Sequence, residues 1–184
     1  MKIQDIKLAN YNKLQNTYVY DIWIDYIQPR PYLQGIKSKD KQDLTFDEVS
    51  FLKKYLQKFD FQNFEMFIKI FFHNFEQIKI TDLYFFDFVA WYKFVINEIE
   101  SIIEIENTIN YDADPIMKVA GIDKLERFGE LNTKIQLGEQ FGKLPNEIGQ
   151  MLWADVVTIL MYNAEKSAIE KTYYEIKSKQ NADK

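Results

Sequence analysis

The sequence predicts a mainly α protein, a compact multi-helix domain with a small N-terminal β element that is either a hairpin or a strand pair. Apolar residues recur at helical spacing through most of residues 45–178. A period of two, typical of a half-buried strand, is confined to Thr17–Ile27. With 184 residues and 47% hydrophobic content, the chain can bury a substantial core.

The N-terminal β element is predicted from one alternating segment. Along Thr17–Ile27, every second residue is aromatic or β-branched, and these residues are Tyr18, Tyr20, Ile22, Ile24 and Tyr26. Such residues suit a pleated surface, and Ile3–Leu8 is the candidate partner strand. The segment Gln28–Pro31 ends the strand because proline cannot donate to a ladder. We therefore assign residues 1–34 to the β element and residues 35–44 to a polar loop.

The helical domain is predicted to begin at a capping box. Thr45–Glu48 has the Ser/Thr-x-x-Glu form that satisfies free backbone N–H groups at a helix start. Apolar residues then follow helical spacing in three segments, which are Phe61–Phe75, Phe85–Ile103 and Val156–Ile176. Residues 45–178 form the predicted helical domain, and residues 179–184 form a polar, frayed tail.

A glycine and proline hinge interrupts the helical domain near its C-terminal end. Phe141-Gly142 predicts a helix end, because glycine readily takes the left-handed C-cap conformation. Pro145 suits the first position of the next helix. The helices on either side, up to Val157, carry apolar anchors with no reactive group between them. This arrangement is typical of a packing or docking module.

Few residues of this chain could carry out catalysis. The sequence has no cysteine, which excludes disulfides, thiolate nucleophiles and cysteine-based metal sites. Its one histidine, His73, lies among phenylalanines and is interpreted as a structural residue rather than a base or ligand. No glycine-rich phosphate loop or nucleophile elbow is present. We expect no enzymatic activity, no cofactor and no catalytic residue.

One loop keeps a metal alternative open. Asn110–Asp114 could supply oxygen ligands to a cation, but it lacks the glycine and distal glutamate of an EF-hand. An aspartate before Pro115 is also a common helix cap, which is the interpretation we favour. We therefore predict no metal site.

The charge and the apolar segments restrict the classes of partner and the location. The net charge is −5, and only two of the 23 basic residues are arginine, so binding to duplex nucleic acid is not expected. The N-terminus has no apolar signal segment. Charges interrupt the longest apolar tract, Leu83–Ile96, which is too short to span a membrane. We expect no membrane contact and an intracellular protein.

Two tryptophans are candidate anchors for protein contacts. Trp23 and Trp153 lie near the edges of predicted elements, and tryptophan is enriched among residues that dominate binding energy. The other interpretation, which we favour, is that both are half-buried core residues.

The C-terminal third resembles tail-assembly chaperones and related small head–tail or virion proteins of tailed bacteriophages. The shared pattern is a helix, a Phe-Gly pair, a short spacer with proline, an acidic-apolar pair and a long periodic helix. Here its residues are Phe141-Gly142, Leu144-Pro145, Glu147-Ile148 and the helix from Trp153. The N-terminal segment Asp5–Leu14 similarly resembles the short strand-to-helix segments with which phage structural and assembly proteins begin.

The resemblance implies a non-enzymatic structural or assembly protein located in the virion or the host cytoplasm. Its partners would be other phage structural proteins, further copies of itself, or both. The candidate interaction residues are Phe141, Gly142, Pro145, Ile148, Trp153 and Trp23. The alternative function is a cytoplasmic regulatory module, or one that binds a small molecule between the phenylalanine-rich helices.

Overall fold

The computed structural model describes residues 6–11, 24–56, 61–109 and 115–182. The protein is mainly α with a small antiparallel sheet near the N-terminus, which confirms the predicted fold class. The chain divides into two compact units. Unit 1 consists of Met1–Leu44 and Glu48–Ile102, and unit 2 consists of Thr45–Asp47 and Ile103–Lys184.

Unit 1 holds the sheet and the aromatic helices. Its strands are β1 (Tyr32–Leu33) and β2 (Ile36–Lys37). Its helices, two of which extend into unit 2, are α1 (Leu8–Tyr11), α2 (Phe46–Tyr55), α3 (Phe61–Phe71) and α4 (Phe85–Asn107). Short 3-10 helices lie at Lys41–Asp43, Phe75–Gln77 and Ile80–Asp82. As the capping box predicts, α2 begins directly after Thr45.

The sheet is a hairpin that lies later in the chain than predicted. Tyr32 pairs with Lys37, and Leu33 pairs with Ile36. The two residues between the strands, Gln34 and Gly35, have φ values of 49° and 78°. Positive φ at both central positions is the type I′ turn that matches the twist of a two-residue hairpin. The hairpin therefore begins after the prolines, partly within the predicted loop 35–44.

The predicted strand Thr17–Ile27 is wrong where it can be checked. Residues 17–23 lie outside the described residues, whereas Ile24 is helical and is followed by a turn. The ammonium group of Lys93 on α4 donates to the carbonyl oxygens of Ile24 at 2.7 Å and Ile27 at 3.1 Å. The Lys93 side chain thus satisfies carbonyl groups that would otherwise pair with a neighbouring strand.

The candidate partner strand Ile3–Leu8 also pairs elsewhere in its described part. The Phe85 N–H donates to the Ile6 oxygen at 2.7 Å, and the Leu8 N–H donates to the Leu83 oxygen at 2.8 Å. Lys7 and Tyr84 form an isolated antiparallel bridge. These bonds place the segment beside the start of α4.

Trp91 lies at the centre of the unit 1 core. Its fully buried indole contacts the rings of Phe64, Phe71, Phe72 and Phe88 at centroid distances of 5.6–6.4 Å. Aromatic pairs at such distances stabilise a core beyond simple area burial. The predicted aromatic stripe is confirmed within α3, including the buried Phe71, whereas Phe75 lies beyond the helix and is partly exposed.

Unit 2 is built from short helices followed by one long helix. The α-helices that lie wholly within it are α5 (Pro115–Ala120), α6 (Glu130–Phe141), α7 (Pro145–Gly149) and α8 (Trp153–Ala182). A 3-10 helix spans Ile122–Phe128. The buried apolar side chains among the described residues of unit 2 are Phe46, Leu137, Ile148, Trp153, Val156 and Val157. Residues 179–182, predicted as frayed tail, continue α8.

Candidate protein-contact surface

A glycine C-cap turns the chain sharply between α6 and α7. Gly142 has φ 65° and ψ 34°, the left-handed conformation predicted for it. The N–H groups of Gly142 and Lys143 both donate to the Gly138 carbonyl, the latter at 2.9 Å. These bonds satisfy the end of α6 and fold the chain back over its last turn.

Gly138 permits this close return because it has no side chain. A Cβ atom at Gly138 would lie 2.6 Å from the Lys143 carbonyl oxygen, which is closer than real Cβ contacts. α7 then begins at Pro145, and the Glu147 carboxylate accepts a 2.8 Å hydrogen bond from the Leu144 N–H. The hinge is therefore a fixed turn, closed by backbone bonds on one side and a carboxylate cap on the other.

Residues of the turn line an open groove on the surface of unit 2. Its volume is ≈ 350 Å³, and its lining residues are Ile135, Gly138, Glu139, Gly142, Lys143, Leu144 and Pro145. Leu144 is 64% exposed, and Phe141 beside the groove is 44% exposed. Apolar side chains thus reach solvent here although the backbone around them is tightly ordered.

Asp47 fastens the start of α2 to both helices of the hinge. Its carboxylate forms an ion pair with Lys134 on α6 and accepts a 3.3 Å hydrogen bond from the Gln150 side chain. Gly149 lies against the same carboxylate and leaves no space for a side chain. The Phe46 N–H also donates to the Met151 oxygen at 2.9 Å. Charged and backbone contacts together hold the α6–α7 hinge in place.

The predicted interaction residues do not all reach the surface. Phe141 and Gly142 are exposed, and Pro145 is half-buried beside the groove. Ile148 and Trp153 are buried at 0% and 3% exposure, so they support the hinge from the core rather than offering surface. The Trp153 indole N–H donates to the Glu106 carboxylate at 2.9 Å, so the polar atom of this buried side chain has a hydrogen-bond partner. Trp23 lies outside the described residues.

A second apolar surface lies on α8, whose apolar residues follow the predicted helical spacing. Val156 and Val157 are buried, but Ile169 is 67% exposed and Ile176 is 53% exposed. Helical periodicity alone cannot distinguish a face that packs in the core from one that reaches solvent. The acidic and basic residues that alternate after Met161 are the sequence signal for an exposed helix.

The described residues offer few perturbed acid–base groups. The ion pair of Lys7 and Asp82, at 2.8 Å, raises the pKa of Lys7 and lowers the pKa of Asp82. Burial raises the pKa of the Tyr92 hydroxyl. His73 is exposed in the turn after α3. These shifts come from one surface ion pair and from burial, and they do not converge on a pocket.

No group of three or more histidine or acidic side chains in the described ranges is placed to hold a metal ion. The loop Asn110–Asp114 lies outside these ranges. None of the described helices combines the length and the apolar character needed to cross a membrane.

Comparisons with protein-family models, with curated proteins and with solved structures find no match for this chain.

Proposed function

We propose that the protein is a non-enzymatic structural or assembly component of a tailed bacteriophage, associated with the virion, the tail or the head–tail junction. It acts through protein–protein contacts made by unit 2. The virion, or the host cytoplasm during assembly, is its location. The phage assignment rests on the resemblance around Phe141–Trp153.

One observation carries the contact function. Among the described residues, 16 of the 21 exposed large apolar side chains belong to unit 2. Of the 27 buried apolar residues in the described ranges, unit 2 contributes only six. Exposed apolar side chains in water cost free energy that a partner recovers by covering them, so unit 2 is the part of the chain suited to binding a partner.

The geometry of the hinge supports the same function. The α6–α7 turn is held by backbone bonds, a carboxylate cap and the Asp47 contacts, so its apolar side chains are displayed from a rigid base. A preorganised surface loses less conformational entropy on binding than a mobile loop would. Phe141, Leu144 and Ile135 are the side chains that a partner would cover.

The alternative, a regulatory or small-molecule-binding module, is favoured by one feature of unit 1. The Trp91 indole N–H is buried among phenylalanine rings and meets no hydrogen-bond acceptor in the described part of the chain. An acceptor on a small ligand would satisfy it. A thermal-shift screen tests this alternative, because a ligand that binds only the folded state raises the melting temperature.

The proposed function is tested by locating the protein during phage assembly. We expect mass spectrometry to find the chain in purified particles or in assembly intermediates of the phage that encodes it. The double variant Phe141→Ser and Leu144→Ser should reduce this incorporation, because it removes exposed apolar surface at the groove. Met66→Ser is the matched control, since Met66 is 42% exposed in unit 1 and Phe141 is 44% exposed. Absence from particles and from intermediates would contradict the proposal.

A further inference from the structure

The last part of α8 is a helix that no element among the described residues covers. All side chains from Glu165 to Asn181 are exposed, although the helix continues to Ala182. An isolated helix of this length is marginal in water, because most helical stability in proteins comes from packing an apolar face. A partner that covers the apolar side of this segment would therefore stabilise it.

An apolar row with coiled-coil spacing runs along α8 from Tyr162 into this exposed segment. Four side chains, which are 65%, 67%, 56% and 53% exposed, form this row at intervals of seven, four and three residues: Tyr162, Ile169, Tyr173 and Ile176. In a heptad written abcdefg, Tyr173 occupies an a position and the other three occupy d positions. The neighbouring a positions are the polar residues Lys166 and Gln180. Polar residues at a positions fix the register and orientation of a helix pair.

We propose that this row binds a second copy of the chain, with the two α8 helices antiparallel. The inference rests on the proposed function, an assembly role through contacts, and names one of its partners. In this arrangement Ile169 packs against Tyr173 of the second copy. Lys166 lies beside Ile176 of the second copy, and Tyr162 lies beside Gln180 of the second copy. Each layer thus combines one residue from an a position with one from a d position.

The charges beside the row select the antiparallel direction. In that direction Glu165 faces Lys179 of the second copy, and twofold symmetry creates this attraction twice. Glu170 faces its own counterpart once, but each Glu170 also has Lys166 as an ion-pair partner at 3.9 Å. Two attractive contacts therefore oppose one partly neutralised repulsion.

The parallel direction brings like charges together. Lys166 would face Lys166 of the second copy across the a layer. Glu165 would face Glu170 of the second copy on both sides of the pair. The macrodipoles of the two helices would also be aligned side by side, whereas antiparallel dipoles attract. The antiparallel pair is the arrangement that these charges complement.

The test is a charge exchange in the full chain, measured by size-exclusion chromatography with light scattering over a range of concentrations. We expect the wild-type mass to approach twice 22.1 kDa as the concentration rises. Glu165→Lys and Lys179→Glu should each raise the Kd of the dimer about tenfold, because each turns two attractive contacts into repulsive ones. The double variant should return the Kd to within about twofold of the wild-type value, because it restores both pairs with opposite signs.

Two further variants separate this contact from other effects. Glu175→Lys changes the charge by the same amount on the opposite side of α8, and it should leave the Kd unchanged. Ile169→Asp should abolish the dimer while circular dichroism shows that the rest of the chain remains folded, because Ile169 is 67% exposed. A wild-type chain that is monomeric at every concentration would overturn the inference. A dimer that survives Ile169→Asp, or a double variant that fails to recover, would do so as well.

The two proposals fail in different ways. A monomer that is nevertheless found in phage particles would contradict self-association and leave the assembly role in place. An antiparallel dimer that occurs neither in particles nor in intermediates would contradict the assembly role alone.

Discussion

Unit 1 and unit 2 place the same kinds of apolar side chain in opposite environments. In unit 1 the aromatic residues of α3 and α4 surround Trp91, which is 0% exposed. In unit 2 the apolar row of α8 and the side chains around the hinge groove reach solvent, and the buried set is small. Both units show helical periodicity. Periodicity therefore identifies a helix and its apolar face, but the neighbouring elements decide whether that face is covered.

The two units also use polar contacts differently. The backbone of α4 is tied to the N-terminal segment by bonds such as Phe85 N–H to the Ile6 oxygen. In unit 2, the side chains of Asp47 and Glu147 add to the backbone bonds that close the hinge. Unit 2 thus combines a small core with specific polar contacts, which is compatible with a unit that exposes apolar surface rather than burying it.

The largest expected effect is in the unit 1 core. Phe71→Ala should lower the free energy of unfolding by about 3–5 kcal/mol, because it leaves a cavity beside Trp91. Val157→Ala, in the smaller core of unit 2, should lower it by about 1–2 kcal/mol. Urea denaturation followed by circular dichroism measures both values. Equal losses at the two positions would break the contrast between the units.

An intermediate effect is expected at the hinge of unit 2. Gly138→Ala should destabilise the chain by about 2 kcal/mol, because the new methyl group would meet the Lys143 carbonyl and shift the backbone. Gly142→Ala is the control, since its Cβ would meet nothing within 4 Å and only its left-handed conformation is unfavourable, at about 1 kcal/mol. Thermal unfolding compares the two variants. If Gly142→Ala proved the more damaging, the close approach at Gly138 would not be what closes the turn.

The smallest expected effect concerns the surface ion pair of unit 1. The pKa of Asp82 is lowered in the folded state from its ordinary value of 3.8, by the hydrogen bond and charge of Lys7. Its stabilising contribution is therefore present above that value and is lost as the pH falls through the folded pKa. An NMR titration of the Asp82 carboxyl should show the lowered pKa in the wild type. In Lys7→Gln the value should return toward 3.8, and an unchanged value would show that Lys7 is not the cause.

Local sequence patterns predicted the helix ends and the buried stripe correctly where short-range chemistry fixes the backbone. Thr45–Glu48 predicted the start of α2, and Gly142 predicted the left-handed end of α6. The phenylalanine spacing predicted the buried stripe of α3. Each of these features depends on residues within a few positions of one another, so the sequence pattern contains the necessary information.

Local sequence patterns mislead, or leave a choice open, where contacts form between residues that are far apart in the chain. The alternation at Thr17–Ile27 predicted a strand, yet in its described part the Lys93 ammonium, far along the chain, donates to the carbonyl oxygens of Ile24 and Ile27. The sequence leaves Trp153 either a contact anchor or a core residue, and only the fold buries it and brings Glu106 to its indole N–H. Neither contact follows from local spacing, because each partner is brought in by the fold.

By itself, the sequence determined that the chain is mainly helical, where several helices begin and end, and that it has no cysteine chemistry and a single histidine. These properties follow from composition and from short-range backbone preferences. The tertiary structure alone decided which apolar faces are buried, that Asp47 fastens the hinge, and that the apolar row on α8 is exposed. Burial depends on which elements pack together, and that packing minimises the exposed apolar area of a whole unit rather than of one segment.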